Sequence, residues 1–80
     1  MAQLLRSKTV SPRQRAALQQ ERQELTKSIR HTRTLIQQAY GGFNTTSDTD
    51  LIRSYVYEIN SLQARYDYLL RRFKQLEELS

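Results

Sequence analysis

The second half of the chain repeats apolar residues at alternating spacings of three and four through four heptads. They form two rows on one side of a helix: Ile52, Ile59, Tyr66 and Phe73 in one row, and Tyr55, Leu62, Leu69 and Leu76 in the other. A repeat of about 3.5 residues places these side chains in one continuous seam, which is typical of a helix that packs lengthwise against another. We therefore predict a long helix over about residues 48–79.

An earlier helix is predicted over about residues 12–40. Ser11 suits the N-cap, because its hydroxyl accepts a hydrogen bond from a free backbone amide, and Pro12 suits the first helical position. The residues that follow favour or tolerate a helix, with no further Pro and no Gly before the end of the range. Residues 1–11 lack apolar periodicity, and we expect them to form a flexible N-terminal tail.

The segment between the two helices carries signals for a helix end and a helix start. Gly41-Gly42 predicts that the first helix ends just before them, because glycine adopts the left-handed terminal conformation at little cost. Asp48 is the expected N-cap of the second helix, with Ser47 as the alternative. Residues 44–50 would form the turn, and Phe43 would close that end of the molecule.

Two helices of about 30 residues joined by a short turn fold back into an antiparallel pair. The sequence thus predicts an all-α, coiled-coil-like two-helix hairpin. The expected register pairs Ile36 with Ile52, Leu25 with Leu62, and Leu18 with Leu69 or Leu70.

The apolar content of the two helices does not match. The second helix offers its eight seam residues with Val56 and Leu70 beside them, whereas the first offers Leu18, Leu25, Ile29, Leu35, Ile36 and Tyr40. An 80-residue chain is near the size at which a single core barely outweighs chain entropy. We expect a homodimer with a four-helix bundle, or docking on a protein partner, to supply the missing burial.

A stripe of residues runs along the far side of the second helix from its seam. Successive spacings of four, three, four and three put Tyr57, Ser61, Ala64, Tyr68 and Arg71 on one side of the helix. Tyrosine and arginine are enriched at protein interfaces, and small residues between them allow close approach, which makes this tyrosine stripe a candidate partner interface. The alternative is that these are ordinary exposed tyrosines lying on neighbouring side chains.

Positive charge is concentrated in the first half of the chain. The net charge is +5; residues 1–40 hold eight Lys or Arg and two Glu, whereas residues 41–80 hold five Lys or Arg and six Asp or Glu. Lys27, Arg30 and Arg33 are predicted on the outside of the first helix, where they could contact nucleic-acid phosphates independently of sequence. A solvated helix face explains the same residues, and no aromatic residues are interleaved among them for base stacking.

No set of residues indicates catalysis, a cofactor or a metal site. The chain has no cysteine and one histidine, His31, and Gly41-Gly42 follows a helix where a phosphate-binding loop would precede one. Glu58 and Asp67 are expected on a helix exterior, where nothing would tune their acidity. We expect no enzyme activity, no small-molecule substrate, no signal peptide and no membrane-spanning segment.

Part of the sequence resembles a known family. The resemblance spans about residues 35–72 and is carried by Phe43-Asn44, Asp48-Thr49-Asp50-Leu51-Ile52, Val56-Tyr57, Ala64-Arg65-Tyr66 and Tyr68-Leu69-Leu70-Arg71. These segments resemble the YaaL-like family of short, uncharacterised bacterial proteins found mainly in Firmicutes, whose members tend to have Pro where this chain has Thr49. The resemblance implies a cytoplasmic protein with a two-helix fold, and it brings no catalytic or binding residues.

The leading interpretation is a non-catalytic, cytoplasmic, self-associating protein–protein interaction module. The second is a basic accessory protein that binds nucleic acid through the first helix.

Overall fold

The computed structural model describes residues 10–79 and consists of two long α-helices in that range. Helix α1 is Pro12–Thr45 and helix α2 is Thr49–Leu79, joined by a connection of residues 46–48. The helices are antiparallel, because the start of α1 contacts the end of α2 through Arg22 and Glu77. The predicted all-α hairpin is confirmed; of the predicted tail, residues 1–9 lie outside the described residues.

Helix α1 begins as the sequence predicts. The Gln14 amide donates to Ser11 Oγ at 3.1 Å, and the Ser11 amide donates to Gln14 Oε1 at 3.0 Å. This reciprocal pair is a capping box, which satisfies two backbone donors that a helix start leaves free, and Pro12 occupies the first turn without loss of a hydrogen bond. Ser11 and Pro12 therefore fix the N-terminus of α1.

The end of α1 differs from the prediction. The helix continues through Gly41-Gly42 to Thr45, and no glycine in the described residues adopts a positive φ. The Thr45 hydroxyl donates to the carbonyl oxygens of both glycines, and Gly42 lies against the ring of Tyr55, where a Cβ would overlap the ring. The absence of a side chain at Gly42 allows the two helices to approach closely. Phe43 lies in the last turns of α1 and is half-buried.

Helix α2 starts where predicted. The Leu51 amide donates to Asp48 Oδ1 at 2.9 Å, and the Ile52 amide donates to the Asp48 carbonyl at 2.9 Å. Asp48 is therefore the N-cap, and the alternative, Ser47, is not. A carboxylate at this place also interacts favourably with the positive end of the helix dipole.

The seam of α2 lies against α1 along its whole length. All eight predicted seam residues are buried or half-buried, with Ile59, Leu69 and Leu76 the most buried. Opposite them, α1 buries Leu25, Thr32 and Ala39, one residue per heptad. Two of these three are small, so α2 supplies most of the apolar volume of the core.

The register of the two helices is shifted from the prediction by about one heptad of α2. Leu25 packs with Leu69 and Leu76, where the sequence was expected to place Leu62. The shift follows from the longer α1: the turn lies at residues 46–48 and not at residues 41–47, so each α1 residue faces a later residue of α2. Tyr40, counted among the core residues of α1, is instead 48% exposed.

Polar contacts cross both edges of the seam. On one edge, the Arg72 guanidinium donates to both carboxylate oxygens of Glu21 at 2.8 and 3.1 Å, and this hydrogen bonding, with the negative charge of Glu21, raises the pKa of Arg72. On the other edge, Arg22 Nη2 lies 2.8 Å from Glu77 Oε1, and Arg33 Nη2 donates to the Tyr66 hydroxyl at 3.1 Å. These contacts identify which flank of each helix belongs to which broad face of the hairpin.

Candidate interaction surfaces

The tyrosine stripe lies on the outside of α2, as predicted. All five of its residues are exposed, with Tyr57 at 69% and Tyr68 at 54%. The stripe extends over residues 57–71 of one continuous helix, which is about 21 Å at ~1.5 Å per residue. Two large aromatic rings near its ends with Ser61 and Ala64 between them leave a shallow surface that another helix could approach.

The three basic residues of α1 are all exposed, as predicted, but their surroundings differ. Lys27 and Arg30 are exposed and make no ion pair with any residue in the described range. Arg33 lies at the edge of the seam, where its guanidinium donates to the Tyr66 hydroxyl and stands 5.9 Å from the centre of that ring. The structure therefore separates Arg33 from Lys27 and Arg30.

A third surface consists of apolar side chains on the broad face that carries the Arg22–Glu77 contact. Residues seven apart share a helix flank, so Ile29 and Ile36 follow Arg22 on α1, and Leu70 and Val56 share the flank of Glu77 on α2. Tyr40 lies on the same face, seven residues after Arg33. We call Ile29, Ile36, Tyr40, Val56 and Leu70 the apolar face.

The apolar face is only partly shielded by the hairpin itself. Tyr40, Val56 and Leu70 are 48%, 41% and 42% exposed, while Ile29 and Ile36 are half-buried. Because these side chains adjoin the seam, this face is an outward continuation of the core. Exposed apolar groups that extend a core in this way mark interaction sites more often than isolated surface residues do.

A match to a protein-family model shows which family the chain belongs to. The family model described as "Protein of unknown function (DUF2508)" matches residues 10–77. The chain belongs to the DUF2508 family. Comparisons with curated proteins and with solved structures gave no match.

The DUF2508 match covers all of α1 and all but the last two residues of α2. It supports the earlier assignment to an uncharacterised family, because this description names no activity.

Sequence reasoning located some of these surfaces and missed others. It placed the tyrosine stripe correctly and noted Val56 and Leu70 beside the seam, but it assigned Tyr40 to the core. The polar contacts across the seam edges were not foreseen. Heptad spacing from Glu77 through Leu70 and Gln63 to Val56 was the available signal for the apolar face.

The described part of this DUF2508 member was also compared with the requirements of a metal site and of a membrane-spanning helix. Among residues 10–79 there is no group of three or more His, Cys, Asp or Glu arranged to hold a metal ion. Neither described helix has an apolar stretch of the length needed to cross a bilayer. Glu58, Asp67 and His31 are all exposed.

Proposed function

We propose that the chain is a small, non-catalytic helical protein–protein interaction module that self-associates as a homodimer. The incomplete burial of its seam carries this proposal. Six residues of the described range are buried. Ten large apolar residues in or beside the contact between the two helices are only half-buried: Leu18, Ile29, Leu35, Ile36, Phe43, Ile52, Tyr55, Leu62, Tyr66 and Phe73. A two-helix hairpin cannot enclose these side chains, whereas a four-helix bundle can.

The energy available from further burial is comparable with the cost of association. Tyr40, Val56 and Leu70 each expose roughly 80 Å² of side chain, worth ~2 kcal/mol apiece at about 25 cal/mol per Å². In two copies this amounts to about 12 kcal/mol, against an association cost of ~4–15 kcal/mol. We therefore expect a dimer whose population depends on protein concentration.

Sedimentation equilibrium over a wide concentration range, at low and at moderate salt, tests this proposal. We expect the mass to rise from one chain to two with concentration, and to do so at both salts, because apolar burial is not screened by ions. A single-chain mass at every concentration, with the helical circular dichroism of a folded hairpin, would show that the protein does not self-associate.

The tyrosine stripe is a second contact surface in this proposal, available to a protein partner. Its support is the exposure of Tyr57 and Tyr68 on one continuous helix with Arg71 at one end of the stripe. Tyrosine and arginine contribute much of the binding energy at protein interfaces.

We also propose the finer relationship that the sequence resemblance implies. In this proposal the chain is a YaaL-like bacterial protein of the cytoplasm. The absence of cysteine fits a reducing compartment.

Nucleic-acid binding through α1 is the second candidate function. Helix α1 contains six Lys or Arg and two Glu, and the exposed Lys27 and Arg30 have no ion-pair partner within the described range. This candidate predicts binding to unrelated DNA or RNA sequences that weakens steeply with salt and with Lys27→Glu/Arg30→Glu. Binding that ignores both salt and this double change would exclude it.

A further inference from the structure

A symmetric row of residues crosses the apolar face along α2. Val56, Gln63 and Leu70 are seven residues apart, so the two apolar side chains lie on one flank at equal distances from Gln63. Each distance is about 10 Å along the helix at ~1.5 Å per residue. A two-fold rotation about an axis through Gln63, perpendicular to the helix, therefore exchanges the positions of Val56 and Leu70 and leaves Gln63 in place.

This row has the symmetry that a homodimer needs. In a two-fold dimer every contact occurs twice: if residue i of one copy contacts residue j of the other, then residue j of the first copy contacts residue i of the second. We infer that a second copy of this chain packs antiparallel on the apolar face, with Val56 against Leu70 in both directions and Gln63 at the two-fold axis. The inference rests on the proposed self-association and specifies where the second copy lies.

Helix α1 fits the same axis. The hydrogen bond of Arg33 with the Tyr66 hydroxyl places the part of α1 just after Arg33 near Gln63, which lies one turn before Tyr66 on α2. Ile29 and Tyr40 lie on either side of this part of α1, both on the apolar face. The axis that pairs Val56 with Leu70 consequently brings Ile29 of each copy near Tyr40 of the other.

The size of the face matches that of a stable interface. Two helices of ~10 Å diameter make a surface about 20 Å wide, and α2 is about 46 Å long at ~1.5 Å per residue. The whole side of the hairpin that carries the apolar face therefore presents roughly 900 Å², close to the ~800 Å² per partner of a standard interface, and the apolar face occupies its central part. Covering it would also enclose half-buried seam residues, whereas contact through the tyrosine stripe would leave them as exposed as before.

Gln63 at the axis would set the register of the two copies. Its amide nitrogen donates to Asp67 Oδ1 at 3.1 Å, which leaves its carbonyl oxygen and a second N–H for the partner's Gln63. A polar residue within an otherwise apolar helix contact specifies alignment, because any shift separates it from its match. The tyrosine stripe would remain on the outside of this bundle, accessible to a different protein.

Single-cysteine variants test this arrangement directly, since the chain contains no cysteine. Gln63→Cys and Ala64→Cys are neighbours on different sides of α2, one on the apolar-face row and one in the tyrosine stripe. A disulfide requires Cα atoms within about 7 Å. Under mild oxidation we expect Gln63→Cys to give a covalent dimer on a non-reducing gel and Ala64→Cys to remain a single chain.

A mixing experiment tests the direction of packing. Val56→Cys alone and Leu70→Cys alone would place the two thiols about 20 Å apart across the axis. We expect neither variant to cross-link with itself, and an equimolar mixture to form a disulfide between the two different chains, identified by mass spectrometry of the joined peptides. Self-cross-linking of Val56→Cys would indicate parallel copies and would refute the arrangement.

The remaining outcomes separate this inference from the proposed function. If Ala64→Cys cross-links and Gln63→Cys does not, the chain self-associates through the tyrosine stripe, so self-association stands and the apolar-face arrangement falls. The same follows if the wild-type chain sediments as a dimer but neither variant cross-links. If the wild-type chain sediments as a folded monomer at every concentration, both self-association and this arrangement are wrong.

Discussion

The two adjacent glycines near the end of α1 offer a matched pair for testing the packing of the closed end. Both are helical, and neither has a positive φ, so alanine is compatible with the backbone at each. A Cβ at Gly41 would have no neighbouring atom within 4 Å, whereas a Cβ at Gly42 would overlap the ring of Tyr55. The same substitution should therefore have opposite effects at neighbouring positions.

The magnitudes follow from helix propensity and from overpacking. Replacing a helical glycine with alanine stabilises by up to ~1 kcal/mol, mainly by reducing the entropy of the unfolded chain, and Gly41→Ala should show most of this gain. At Gly42 the overlap must be relieved by moving the half-buried Tyr55 ring, which costs about 1–3 kcal/mol. We expect Gly42→Ala to be less stable than Gly41→Ala by about 2 kcal/mol.

Urea unfolding followed by far-ultraviolet circular dichroism measures this difference. All variants must be compared at one protein concentration, because the proposed self-association would link stability to concentration. Repeating both changes in a Tyr55→Ala background provides the control: without the ring, Gly41→Ala and Gly42→Ala should have equal effects. Equal stability of the two variants in the wild-type background would refute the close approach of Tyr55 to Gly42.

Three further predictions concern the core, the turn and an ion pair, all measured by the same urea unfolding. Leu76 is 2% exposed, so Leu76→Ala should cost ~2–4 kcal/mol, while the exposed Leu79→Ala should cost little; similar losses would contradict the assigned seam. Asp48→Ala should cost about 1 kcal/mol by removing the N-cap of α2, whereas Ser47→Ala should be neutral, and the reverse order would make Ser47 the cap. Glu21→Gln should lower stability only slightly, because its ion pair is partly exposed and screened by solvent, and a loss that does not shrink with added salt would argue against an ionic origin.

The seam of α2 was predictable in full, but its partner surface on α1 was not. On α2 the seam residues are large and apolar while their neighbours are mostly polar, so periodicity alone identifies them. On α1 the buried positions include Thr32 and Ala39, whose hydropathy does not distinguish them from exposed residues. Such positions are small because large residues of α2 fill the space, which is a property of the pair of helices and not of either sequence alone.

The end of α1 was mispredicted because the local preference of Gly-Gly for a helix end was overridden by a tertiary contact of Gly42 with Tyr55. Gly-Gly after a helical segment usually marks a helix end, since glycine tolerates left-handed backbone conformations. Here the absence of a Cβ at Gly42 allows Tyr55 to pack against the α1 backbone, and the helix continues as far as Thr45. The register error followed from this one misplaced boundary.

Among the candidate surfaces, the placement of the tyrosine stripe was also predictable from the sequence, whereas the position of Arg33 was not. Spacings of three and four alternate in the tyrosine stripe, so the rotations nearly cancel and its residues share one side of α2. Lys27, Arg30 and Arg33 have two successive spacings of three, each about 60° short of a full turn at 3.6 residues per turn. The third residue is therefore rotated by about 120° from the first, which is why Arg33 reaches the seam edge and Tyr66.

The leucine cluster of Leu25, Leu69 and Leu76 lies at the open end of the hairpin, together with both ion pairs that join the helices in the described range. At the closed end, the connection of residues 46–48 holds the two helices together at small entropic cost. The entropic cost of bringing two residues together rises with the length of chain between them, so connectivity favours contacts less toward the open end. Side-chain attraction is thus strongest where chain connectivity helps least. Amide hydrogen exchange should accordingly protect both ends of the hairpin to a similar degree, without a steady loss of protection from the turn toward the termini.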